Sequence, residues 1–158
     1  MKKIWIILLL INSYIIISSE ILIPMDNSQS NHLRAYGIVF RSLQNQQTSK
    51  WLLNYRGGSF LCSDSQTIIN DLHLNGVSYE NISANEVASI YNLMNEENMD
   101  VILLEVEPKI AVYTPLNKLP WDDAVTLALT YAGIEYDRLW DEEVITKGLD
   151  DYDWVHLH

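Results

Sequence analysis

Two groups of side chains in this sequence have the types and spacing for chemistry. The first is the polar run in "MDNSQSNHLRAYG", which follows a short apolar stretch and opens a helical pattern. Asp26, Asn27, Gln29, His32 and Arg34 would sit where a strand ends and a helix begins, the place where α/β proteins collect ligand-binding groups. Backbone amides at such a helix start favour an anion. Arg56 adds to this set from "YRGGSF". There Gly57 and Gly58 permit close backbone approach, and a guanidinium offers a fork to a carboxylate or phosphate. The second group is His156 and His158, two apart on an expected strand and so on one face. No carboxylate or third imidazole stands at a diagnostic spacing, so no metal is expected there.

Plain structural roles account for the same residues. Ser30 or Asn31 can cap the helix while its neighbours are solvated. Gly57-Gly58 can form a tight turn or a β-hairpin. Asp141, Glu142, Glu143, Asp150, Asp151 and Asp153 read as solvated loops. The single cysteine, Cys62, cannot form an internal disulfide or a cysteine-based zinc site, and it reads as a buried, inert thiol.

The elements that would position these groups follow from periodicity. Short apolar runs at 21–24, 51–55, 79–82, 101–104 and 109–114 read as strands. Helices are expected at 32–43, around Ile68, Ile69 and Leu72 with a stop at Asn75-Gly76, after Ser83 with Glu86 at capping-box spacing, and over 121–132 before Gly133. Strands alternating with three-turn helices imply right-handed crossovers and a mostly parallel α/β sheet with flanking helices. A boundary near 105–108 would separate a first α/β unit, 20–106, from the start of a second, 107–158. The end, "GLDDYDWVHLH", reads as a turn and a strand with an unpaired edge at 154–158.

Composition narrows the function. With 48% hydrophobic and 20% charged residues the 158-residue chain can bury a core. A net charge of −11 excludes a nucleic-acid partner, because phosphates need a basic face. "MKKIWIILLLINSYIIISSE" has the basic start, apolar run and small residues of an export signal, so residues 1–19 are set apart from the fold. The mature chain is then periplasmic or in the cell envelope, and touches membrane only through that segment if it is uncleaved. There is no Gly-x-Gly-x-x-Gly, P-loop, Gly-x-Ser-x-Gly or His-Glu-x-x-His, and no cofactor is expected.

"ILIPMDNSQSNHLRAYG", "WLLNYRGGSF" and "WDDAVTLALTYAGIEYDRLWDEEV" with "GLDDYDWVHLH" resemble exported Bacteroidetes proteins of a family named asparagine synthetase B, over nearly the whole mature chain. Members of that family are longer, so the resemblance implies an N-terminal fragment. The second half is similar in layout to the class I glutamine-amidotransferase-like, flavodoxin-like α/β fold. The name implies amide transfer from glutamine to aspartate with ATP. That chemistry uses an N-terminal cysteine and a Ser-Gly-Gly-x-Asp-Ser loop. Mid-chain Cys62 and Arg56-Gly57-Gly58-Ser59-Phe60 match neither, and no catalytic residue carries over. The expected function is binding or processing of a polar small molecule, or a peptide- or glycan-type ligand, outside the cytoplasm. A non-catalytic interaction module of the envelope is the alternative.

Overall fold

The computed structural model describes residues 19–115, 117–119 and 122–157. Most of the expected leader, and His158, lie outside the described residues. Ser19, assigned to the leader on sequence, is the first residue of β1.

The chain runs β1 (Ser19–Ile23), α1 (His32–Gln44), β2 (Ser49–Leu52), β3 (Ser59–Ser63), α2 (Gln66–Leu74), β4 (Glu80–Ser83), α3 (Ala84–Glu96) and β5 (Val101–Leu104). It continues with β6 (Ile110–Tyr113), α4 (Ala124–Ala132), β7 (Asp137–Leu139), α5 (Asp141–Lys147) and β8 (Trp154–His156). Strands β1 to β5 form one sheet in the order β4-β1-β3-β2-β5, and β6 to β8 form a second in the order β7-β6-β8.

The expectation of a mostly parallel, flavodoxin-like and class I glutamine-amidotransferase-like sheet is overturned. Every pairing in the five-stranded sheet is antiparallel, and parallel pairing is confined to the small sheet. The cause is β3. After β2, a left-handed Asn54 (φ 64°), a 3₁₀ turn over Tyr55–Gly57 and a left-handed Gly58 (φ 87°) reverse the chain, so Trp51 pairs with Phe60 and Leu52 with Ser59. Gly57 is required here, since a Cβ on it would meet the Met25 carbonyl oxygen at 2.4 Å. The returning strand lies between β1 and β2. The unit β1-α1-β2-β3-α2-β4 is therefore the split βαβ arrangement of ferredoxin-like layouts, extended by α3 and β5.

Alternation along β1 and β3 builds a core on each face. Ile21, Ile23, Phe60 and Cys62 meet Ala35, Ile38 and Val39 of α1 and Ile68 and Leu72 of α2. Leu22 and Leu61 point the other way, onto Val87, Ile90 and Met94 of α3. Ser83 caps α3 in a capping box with Glu86, as its spacing predicts. A third cluster joins Phe40 of α1 to Ile110 and Val112 of β6 and Leu129 of α4, so α1 is shared between the two sheets.

The α1–α4 contact is backbone-close. A Cβ on Gly37 would lie 1.8 Å from the Ala132 carbonyl oxygen. Helix propensity favours Gly37→Ala by about 1 kcal/mol, while overpacking against an obstacle that cannot rotate away costs about 1–3 kcal/mol. The clash dominates, and thermal denaturation of Gly37→Ala is expected at a lower midpoint; a raised midpoint would show that α4 is free to shift. Cys62 is 1% exposed, and burial pushes its thiol up to about 11. Ellman's reagent at pH 8 is expected to leave the folded protein unlabelled and to titrate one thiol in denaturant.

Candidate binding cleft

The polar run after β1 is assembled, but its groups satisfy one another. The Asp26 carboxylate accepts from Arg56 Nε at 2.8 Å and from the Ser28 amide and hydroxyl at 2.9 and 2.5 Å. Arg56 also donates to Glu80 at 2.8 Å and to Ser28 Oγ at 3.1 Å. Those bonds, from Arg56 first and Ser28 next, hold the Asp26 carboxyl well below the usual carboxylate range, and the same pairing raises the Arg56 guanidinium. Arg56 adopts a left-handed backbone (φ 44°), so its side chain is aimed back across the turn at these acids.

Gln29 is buried and acts as a bridge. Its amide nitrogen donates to the Pro24 and Ser78 carbonyls at 2.8 and 3.1 Å, and its oxygen accepts from the Ser78 amide at 2.9 Å. His32 Nε2 lies 3.1 and 3.2 Å from the Met25 and Asp26 carbonyls. Asn31 caps α1 by accepting from the Arg34 amide, and its Nδ2 donates to the Tyr131 hydroxyl at 2.8 Å. The Arg34 guanidinium stands 4.7 Å from the centroid of the same Tyr131 ring. Asn27 is exposed beside Asp26. Asp26, Arg56 and His32 thus gather at one turn, Arg34 belongs to the α1–α4 contact, and His156 lies on β8 in the other sheet, edge-on to Trp154. Among the described residues no cluster of His, Cys, Asp and Glu could hold a metal ion.

The carboxyl edge of the small sheet, where doubly wound sheets take anions, is already supplied with one. The Asp123 carboxylate accepts from the Val125 and Thr126 amides at 2.6 and 2.9 Å, filling the start of α4.

The opposite edge is open. A cleft of about 790 Å³ lies between the end of α1, the 107–110 segment entering β6, and the 133–137 segment entering β7. Phe40, Ile110, Ile134 and Tyr136 give it apolar surface, and Glu107, Glu135, Asp137 and Lys109 give it charge. Glu135 accepts from Gln44 Nε2 at 3.0 Å, and Asp137 from the Tyr152 hydroxyl at 2.9 Å. These donors are neutral and leave both charges uncompensated. Burial first, and the bond to Asp137 next, raise the Tyr152 phenol and keep it a donor. The one ammonium, Lys109, sits over the Tyr152 ring, 4.8 Å from its centroid. The Glu107 carboxylate, half-buried, has no hydrogen-bond or ion-pair partner among the described residues.

Motif reading passed over these residues because they come from three separate segments and match no local pattern. The boundary at 105–108 was the available signal, since ligand clefts favour the seams between units. Set against known proteins, the chain matches no family model, no curated protein and no solved structure.

The Asp26–Arg56 pair has a signature in acid. A carboxyl with a lowered folded-state pKa contributes stability that is complete above its ordinary value near ~4 and is withdrawn as pH falls below it. Glu86, lowered by the Ser83 amide and then its hydroxyl, acts in the same direction. Thermal melts from pH 6 to pH 2 are expected to fall at the acid end, and to fall less steeply in Arg56→Gln, where the Ser28 bonds to Asp26 and the Glu86 contribution remain. An unchanged slope in that variant would show that the pair does not set the acid response.

Proposed function

We propose that this chain is an exported binding protein whose inter-unit cleft takes a polar small molecule carrying a cationic amine. One observation carries the reading: an open cleft of about 790 Å³ with an apolar floor, three carboxylates on its walls, and its single ammonium held over a tyrosine ring. An amine would pair with Glu107, Glu135 and Asp137, while its carbon skeleton covered Phe40, Ile134 and Tyr136. The basic and apolar start of the chain supports export. Resemblance to the family named asparagine synthetase B supports handling of a small polar metabolite. The amide transfer in that name draws no support from the residues described, because the only thiol is buried and disfavoured as a thiolate.

Solvent-facing ion pairs contribute about 0–1 kcal/mol each, so micromolar to millimolar affinity is expected. Calorimetry and thermal melts with 1,4-diaminobutane and lysine, against glutamate and glucose, test this. The amines are expected to raise the melting midpoint, approaching about 2.7 kcal/mol at a hundred times Kd. Glu135→Gln with Asp137→Asn should weaken them at least tenfold. An amine effect that survives the double substitution, or no effect from any of the four, would overturn the reading.

A further inference from the structure

The β5 edge of the large sheet stands out from every other surface. Among the described residues β5 ends the strand order and pairs with β2 alone. The Leu53 amide donates to the Asp100 carbonyl at 2.9 Å, which fixes the alternation along the strand. Asp100, Ile102 and Leu104 turn their backbone groups to β2, and Val101 and Leu103 turn theirs outward. The side chains are bare too, with Val101 41%, Ile102 42% and Leu103 52% exposed, and Val106 just beyond at 76%. Sheets commonly protect an edge with lysine, proline, a bulge or a covering loop. The opposite edge, β4, is blunted by exposed Glu80 and Asn81. Among the described residues no lysine or proline lies in β5 and no strand covers its outer edge. The charged residues nearest it in sequence are acidic, Asp100 before it and Glu105 and Glu107 after it, while Lys50, opposite Leu103 on β2, is engaged by Glu20 and the Tyr91 ring.

We propose that β5 is a strand-addition site for an extended segment of another polypeptide, with an apolar centre and Lys or Arg at its flanks. Main-chain bonds to Val101 and Leu103 would supply the pairing, and the apolar side chains of both strands would cover each other on the two faces. The acidic flanks select the charge of the partner. They also select against a second copy of this chain. Two copies joined at β5 would bring the acidic flanks of both strands, Asp100, Glu105 and Glu107, to one shared edge, and each chain already carries a net charge of −11, so like charge opposes the pair.

The test uses the purified protein and three capped synthetic peptides, Lys-Val-Thr-Val-Thr-Lys, its Glu-flanked counterpart, and a version with proline at the central valine. Fluorescence anisotropy gives affinity, and amide hydrogen exchange locates the contact. The Lys-flanked peptide is expected to bind and to slow exchange at Val101 and Leu103. The Glu-flanked and proline peptides should bind at least tenfold more weakly. Leu103→Lys should weaken the Lys-flanked peptide at least tenfold with an unchanged melting midpoint, which separates lost docking from lost folding. Equal binding of Lys- and Glu-flanked peptides, or protection elsewhere, would overturn the proposal. So would protection of Val101 and Leu103 that grows with protein concentration alone, since that assigns the edge to a second copy. The cleft shares Glu107 with this flank, so the sites are separated by exchange at Val101 and Leu103 and by Glu135→Gln with Asp137→Asn, which is expected to leave peptide affinity unchanged.

Discussion

The close contact between α1 and α4 is the constraint on which the rest of the molecule depends. Gly37 lets the Ala132 carbonyl approach to where a side chain would otherwise stand. Arg41, one turn on, uses that proximity. Its Nη1 donates to the Ala132 and Gly133 carbonyls, both at 3.2 Å, while Nε and Nη2 hold Asp71 of α2 at 3.0 and 2.8 Å. One guanidinium thus joins three helices and satisfies carbonyls that the end of α4 leaves without helical partners. A lysine, with one point charge and no fork, could not make this set of bonds. Gly133 must remain left-handed (φ 74°) for the chain to turn away beneath Arg41. The turn delivers Ile134, Glu135 and Tyr136 to the cleft. The cleft is therefore a by-product of helix packing, which is why no single segment of sequence advertises it.

The elements were largely legible in sequence, and their arrangement was not. Capping at Ser83, the stop at Gly133 and the strands at 21–24 and 101–104 are local signals, and the corresponding elements formed. β3 was lost because Phe60, Leu61 and Cys62 are buried on both faces and show no alternation. Its preceding Gly57-Gly58 read as readily as a loop as a hairpin. Missing one strand turned a split βαβ unit into a simple alternation, and with it the sense of every pairing in the large sheet. Helix faces suffered in a similar way. Leu33 and Tyr36 share helical spacing with Phe40 and Leu43, yet both are exposed, while Ala35, Ile38 and Val39 join Phe40 and Leu43 in the buried set. A helix packed on two sides has no single stripe to find.

The polar residues misled for a related reason. Asp26, Gln29, His32 and Arg56 looked available because sequence shows donors and acceptors without their partners. In the fold the loop after β1 is crossed by the turns at 55–58 and 76–78, and each polar group meets a backbone or an opposite charge there. Buried polar groups are almost always paired, so a dense polar motif packed into a crossing of loops is consumed by the crossing. Glu107, Glu135 and Asp137 lie where the chain enters β6 and β7, Glu135 and Asp137 meet only the neutral donors Gln44 and Tyr152, and the charge there stays uncompensated.

The two sheets also differ in how far they can stand alone. The five-stranded sheet is covered on both faces, by α1 and α2 on one side and α3 on the other. The three-stranded parallel sheet has two open edges, and Trp140, Ile145, Trp154 and Leu157 around it are exposed. Parallel sheets persist when both faces are buried. Here Ile110 and Val112 are covered by Leu129 of α4 and by Phe40, a residue of the other unit's helix. The small sheet is thus stabilised through α1, and order in it follows the α1–α4 contact rather than its own three strands. A ligand seated in the cleft would touch α1, β6 and β7 together and favour the same contact. Binding and the association of the two units are coupled through that shared surface, in both directions, by linkage.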